Sequence, residues 1–158
     1  MAIVCIDPGT SASGLVFMDE ARIIDTMTIS YRKPVKADQH MLMHRAFDIT
    51  ERIADWMAPR RHEAVVIEGF VTYHGRQSGY TYQTPYLCGF IHAALANEHF
   101  VIQTSRQVLN VHMKGNVAAY KRAMEQGADV WGDCSKLTND HVRSAAAHGI
   151  YYYIHKED

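Results

Sequence analysis

The chain opens on the apolar run Ile3-Val4-Cys5-Ile6, closed by Asp7 and the turn residues Pro8-Gly9-Thr10. A short apolar run bounded by turn formers predicts a buried strand, here over residues 3–7. Further strands are expected over 13–18 and 22–30, so the chain begins as a three-stranded meander. Leu42, Phe47, Ile49, Ile53, Trp56 and Met57 then recur at mostly helical spacing. They predict a helix over 38–57 with those side chains in the core and a stop before Pro59. Ala64-Val65-Val66-Ile67 is a second buried strand, ending at Glu68, and a Gly-, Ser-, Thr- and Tyr-rich loop follows over 69–83. A helix opened by Pro85 is expected over 85–97, a core strand over 100–103, a polar helical stretch over 105–113 and another helix over 117–125. The last helix is expected over 139–154, where Ala145, Ala146 and Ala147 permit close packing. Strands first, then helices alternating with strands, predict an α/β fold: a mixed β-sheet flanked by helices.

Composition narrows the setting. A chain of 158 residues is the size of one domain, and with no internal repeat or linker a single domain over 1–158 is expected. No apolar run is long enough to span a bilayer, and a strand stands at the N-terminus where a leader would stand, so a cytoplasmic, membrane-free protein is expected. Three cysteines without a CxxC pair suggest neither a disulfide framework nor a zinc knuckle; Cys5 and Cys88 read as buried and Cys134 as an inert surface thiol. The ten histidines read as scattered surface residues. A net charge of −1 does not advertise a polyanion partner, but its distribution is uneven. Arg106, His112, Lys114, Lys121 and Arg122 follow one another with no acid among them, and Arg32, Lys33 and Lys36 form a smaller basic group.

The chemistry lies in three acidic stations. Asp7 and Glu68 each close an apolar strand, and Asp140 opens the last helix, within Thr138-Asn139-Asp140-His141. An unpaired carboxylate is costly to bury, so two strand-end acids call for a cation or donors beside them. One or two carboxylates plus substrate phosphates are the ligands Mg²⁺ prefers, and paired metals suit in-line displacement at phosphorus. The expectation from the residues is a metal-dependent phosphodiesterase. On the last helix Asp140, Ser144 and His148 share a face, and His141 is the alternative ligand at its start.

These stations, in this order, resemble the RuvC family of Holliday-junction resolvases, within the ribonuclease H-like superfamily. Ile6-Asp7-Pro8-Gly9-Thr10 with Gly14 is similar to the family's opening IDPG-x4-G motif, and Ile67-Glu68-Gly69-Phe70 to its second acidic strand with a following aromatic. The segment from Gly115 to Lys121 is similar to the family's Gly-x5-Lys helix start. The likeness extends over nearly the whole chain. It departs on the last helix, where the family places two aspartates, or a histidine and an aspartate, three positions apart. Here the registers are His141 with Ser144 or Asp140 with Arg143.

The resemblance implies a homodimeric endonuclease that resolves four-way junctions or other branched DNA by paired nicks. Two Mg²⁺ ions per site, with Mn²⁺ as substitute, are implied, with Asp7, Glu68, Asp140, His141 and Ser144 as candidate ligands. Asp7, Glu68, Asp140 and Lys121 are then the catalytic candidates. Phe70 or Tyr73 is the candidate wedge at the crossover, and Arg76, Lys114, Lys121 and Arg122 are candidate DNA contacts. The 84–97 helix, more apolar than one core-facing stripe requires, is the candidate dimer interface. Small size and the divergent last helix fit a phage or mobile-element setting, hence a bacterial host cytoplasm. Two rival readings are a RuvC-like nuclease processing ribosomal RNA precursors and a non-catalytic junction-binding protein. The Asp7 turn also resembles the phosphate loop of actin-like sugar kinases and chaperone ATPases, which need two such domains and so more chain than this.

Overall fold

A computed structural model describes residues 1–32, 39–70, 82–108 and 131–156. Five strands among them form one mixed sheet: β1 (Ala2–Asp7), β2 (Ala12–Asp19), β3 (Arg22–Ser30), β4 (Ala64–Gly69) and β5 (Phe100–Thr104), in the order β3-β2-β1-β4-β5. β1, β2 and β3 pair antiparallel as the expected meander, while β1–β4 and β4–β5 are parallel. Parallel neighbours need a crossover. α1 (Gln39–Met57) lies between β3 and β4 in the chain, and α2 (Gln83–Ala94) between β4 and β5. The last helix, here α3 (Asp140–His155), follows a short 3-10 turn at Cys134–Lys136.

The two-residue alternation of strands sorts the core into two layers. Ile3 and Cys5 of β1 with Ala64 and Val66 of β4 pack under α3, against Val142, Ala145, Ala146 and Ile150. Val4, Ile6, Val65 and Ile67 point the other way, onto Ile49, Ile53, Leu87 and Ile91 of α1 and α2. Asp7 and Glu68 continue the first set by parity, so both acids fall on the α3 face. Close approach of α3 depends on glycine. A Cβ on Gly14 would sit 2.2 Å from the carbonyl carbon of His141, and one on Gly149 would meet Cys5 Sγ and Met18 Sδ at 2.5 Å.

The structure corrects three expectations. Phe47, read as core, is 58% exposed, because the inward stripe of α1 is Ala46, Ile49, Thr50, Ile53 and Met57. α2 starts before Pro85, at Gln83, whose buried side chain accepts a hydrogen bond from Thr10 Oγ1 at 3.1 Å and so ties the helix start to the Asp7 turn; proline is tolerated within that first turn. Cys88 is only partly buried, whereas Cys5 is buried as expected. The helical stretch expected over 105–113 is helical at 105–108; its remainder, the loop over 71–81 and the helix expected over 117–125 lie outside the described residues. No helix among the described residues is long and apolar enough to cross a membrane.

Candidate active site

Asp7 and Glu68 stand one residue beyond the paired Ile6 and Ile67, on adjacent parallel strands, and Glu68 is itself in register with Gln103 of β5. The α3 face of the sheet thus ends in a polar row, Asp7, Glu68, Gln103, crossing three strands. α3 answers with its own stripe. His141, Ser144 and His148, spaced three and four apart, lie on one side of a helix. The helix starts there because Asn139 caps it, Oδ1 accepting from the backbone N–H of His141 at 3.0 Å and of Val142 at 3.1 Å.

Stripe and row meet residue on residue. His141 Nδ1 lies 3.0 Å from Asp7 Oδ2 and donates to it. Ser144 Oγ donates to Glu68 Oε2 at 2.9 Å, and His148 Nε2 stands 3.6 Å from the same oxygen, in ion-pair range but longer than an ordinary hydrogen bond. His148 Nδ1 lies 3.2 Å from Gln103 Oε1. The hydroxyl of Ser105, just past β5, donates to Glu68 Oε1. The His141/Ser144 register of the last helix is therefore the one that faces the strand acids. Asp140 is directed outward: its side chain is 73% exposed and pairs with Arg143 at 3.5 Å.

These surroundings set the protonation of the two acids. Burial pushes the Asp7 carboxyl up to about 6; the hydrogen bond from His141 opposes this and the charge of Glu68 adds to it. Burial pushes Glu68 the same way, but the hydrogen bond and charge of His148, with Ser144, outweigh it and hold Glu68 below its ordinary range. The hydrogen bond to Asp7 in turn raises His141.

Both acids open on a cleft of about 210 Å³ lined also by Pro8, Gly69, Phe70, Thr84, Ser105 and Arg106. Phe70 is 42% exposed among those lining residues, so an aromatic and an arginine share the cleft with the acids. Among the described residues no three His, Cys, Asp or Glu side chains stand together closely enough to hold a metal ion. The donors nonetheless fit a hard divalent ion in kind. Mg²⁺ is usually held by one or two carboxylates, with substrate phosphates and water completing its shell. Two carboxylates, one of them raised by burial, present the negative charge such an ion relieves.

Of the candidate site residues, Asp7, Glu68, His141 and Ser144 come together, Phe70 borders the cleft, and Asp140 faces away from it. Tyr73, Arg76, Lys114, Lys121 and Arg122 lie outside the described residues. Sequence reading missed Ser105, Gln103 and the cleft position of Arg106, all near the C-terminal end of β5. The signal was available in part, since strand parity places Gln103 beside Glu68. The histidines are not all scattered: His40 and His44 are four apart on the exposed start of α1, with ring nitrogens 3.1 Å apart.

No protein-family model and no curated protein sequence matches the chain. Solved structures do. A structure of T. thermophilus RuvC in complex with Holliday junction substrate superposes with TM-score 0.77 at 19% identity, covering 99% of this chain and 95% of that one. A second Thermus thermophilus RuvC structure gives TM-score 0.73 at 19% identity, over 99% and 96% of the two chains. The yeast mitochondrial Holliday junction resolvase Ydc2 gives 0.60 at 10% identity, over 94% of this chain and 74% of its own. The five-stranded mixed sheet, the helix laid over its acidic edge and near-complete coverage of both Thermus chains agree: this chain has the fold of the RuvC Holliday-junction resolvases.

Proposed function

We propose that this protein is a metal-dependent endonuclease that resolves Holliday junctions or related branched DNA as a homodimer. The observation that carries the reading is the pairing of Asp7 and Glu68 on adjacent strands, opening on one cleft with Arg106. The likeness in fold to a RuvC bound to a Holliday junction supports it.

Asp7 and Glu68 would hold Mg²⁺ or Mn²⁺, with Ser144 and His141 at the flank. When bound, such ions supply charge stabilisation at the scissile phosphate and activation of water. The chain's own residues do the rest. Arg106 offsets the charge of an entering phosphate, as a planar guanidinium does well. His141, with Nδ1 committed to Asp7, fixes that carboxylate and compensates its charge until a cation arrives. Phe70 offers an exposed ring to an unstacked base at the crossover. Lys121, with Lys114, Arg122, Tyr73 and Arg76, belongs to the same proposal as DNA contacts, on the strength of the sequence motifs alone.

A second copy of the chain fits the aromatic surface of α1 and α2. Phe47 packs edge-on to Phe90 at 4.9 Å, and Tyr86 lies 4.9 Å from Phe90 on its other side. Phe47 and Tyr86 remain 58% and 41% exposed. α2 thus buries Leu87 and Ile91 in the core and presents a second apolar face outward, as a two-fold interface requires. Phe47→Asp is expected to convert the dimer to a folded monomer in sedimentation velocity.

The deciding experiment compares a synthetic four-way junction with its matched duplex and a structured RNA, with wild type and Asp7→Asn, in Mg²⁺ and in Mn²⁺. Paired metal-dependent nicks confined to the junction, absent from the variant, are expected. Cleavage of the RNA alone moves the reading to RNA processing. Junction binding without cleavage under either metal reduces it to a junction-recognition protein, as the serine in place of a last-helix acid would then explain.

A further inference from the structure

We infer that His148, held by Gln103, is the residue that orients Glu68 for its ligand role, so that the site is built from three rungs and not two. This inference rests on the metal-binding reading above. Asp7 with His141 and Glu68 with Ser144 are the two rungs that face the cleft. Gln103 with His148 is the third, and it is buried: His148 is 1% exposed and Gln103 6%. Two polar side chains are expensive to bury unless each is satisfied, and here each has the other.

Mutual satisfaction alone does not account for the direction of the chain of contacts. From β5 through the imidazole it leads to Glu68 Oε2, the oxygen Ser144 also holds. Gln103 Oε1 accepts from Nδ1–H and so fixes the imidazole with Nε2 toward Glu68. Carboxylates that bind metals are themselves fixed by such outer hydrogen bonds. Ser105 fixes the other oxygen, so Glu68 is held in a single rotamer by donors from the segment after β5 and from α3. The third rung also rationalises why this helix tolerates Ser144: a neutral hydroxyl leaves Glu68 with less competition for its orientation than a second carboxylate would.

The test uses the full-length protein without DNA and reads Mn²⁺ affinity by electron paramagnetic resonance of free Mn²⁺. His148→Gln places an amide nitrogen near the position of Nε2 and reaches Glu68; His148→Asn places one near Nδ1, keeps Gln103 satisfied and does not reach. Both substitutions are polar and similar in their cost to folding, so a merely structural role moves them together. The Asn variant is expected to bind Mn²⁺ about tenfold more weakly than wild type and the Gln variant within about threefold, the scale on which lost outer hydrogen bonds act. Equal affinity in both variants, whether both match wild type or both fall alike, overturns the positioning role while leaving the metal reading intact. A wild type that binds no Mn²⁺ overturns the metal reading itself and the inference with it. Nitrogen-15 shifts of the His148 ring give a metal-free check: a protonated Nε2 is expected, and an Nε2 without a proton overturns the inference.

Discussion

Asp7 and Glu68 sit side by side at the ends of neighbouring strands, yet their surroundings differ in kind. Asp7 has one side-chain donor described, His141, whose ring is 42% exposed, and burial raises its carboxyl to about 6. Glu68 accepts from Ser105 and Ser144 with His148 behind them, and is held below its ordinary range. One acid is buried with a single described side-chain donor, and the other is supported by several. On the proposed metal-binding reading, a cation would relieve the first and be oriented by the second. Electrostatic need and geometric support have been divided between the two residues.

The largest effect that probes this division is on cleavage. Asp7→Asn and Glu68→Gln should each lower the junction-cleavage rate about a thousandfold or more, since several kcal/mol of charge stabilisation are at stake. Their stabilities should move in opposite directions. A folded pKa raised above the unfolded value means that Asp7 contributes stability below about pH 4, which is lost as pH rises through about 6. Asp7→Asn is therefore expected to raise the melting temperature of metal-free protein at pH 7.5. Glu68, held low, contributes stability above its unfolded pKa and loses it as pH falls, so Glu68→Gln should lower the melting temperature at the same pH. Shifts of like sign would erase the asymmetry.

Next in size is the pH dependence of metal binding. Protons compete for Asp7, so Mn²⁺ affinity in the absence of DNA should rise about tenfold per pH unit up to about 6 and level off above. A profile flat from pH 4.5 to 7 would mean that Asp7 is not the proton-sensitive ligand. Arg106→Ala should act on substrate and not on metal: a several-fold rise in KM and a salt dependence of junction binding weakened by about one unit of slope, with Mn²⁺ affinity unchanged. The smallest effect belongs to Ser144→Ala. Loss of its hydrogen bond to Glu68 should lower stability by about 1 kcal/mol, read by urea denaturation, because Ser105 and His148 still hold the carboxylate.

How much of this was legible beforehand differs from residue to residue. Ile3-Val4-Cys5-Ile6-Asp7 and Ala64 to Glu68 announce their strands, because apolar runs ending in turn formers have few other ways to fold. β3 was expected at the bounds the structure shows, Arg22–Ser30. Phe47 was misplaced because helical periodicity alone does not say how wide the buried stripe is. His40 and His44, four apart on the first turns of α1, escaped notice as a pair although their spacing is plain in the chain.

The sequence by itself determined that two acids end two buried strands, that those strands belong to a mixed sheet, and that an alanine-rich helix opening within Thr138-Asn139-Asp140-His141 closes the fold. It did so through local rules: alternation, capping and turn chemistry act over a few residues. Only the tertiary structure decided which last-helix residues meet those acids. A one-residue rotation, about 100° around the helix axis, separates Asp140 from His141. The register is set by how closely α3 packs on Gly14 and Gly149 and by which stripe of it is apolar enough to cover Cys5, Val66 and Met18. That choice sends Asp140 to solvent and brings His141, Ser144 and His148 over Asp7, Glu68 and Gln103. Pairing between residues far apart in the chain is a property of the packed sheet and helix together, and no local pattern carries it.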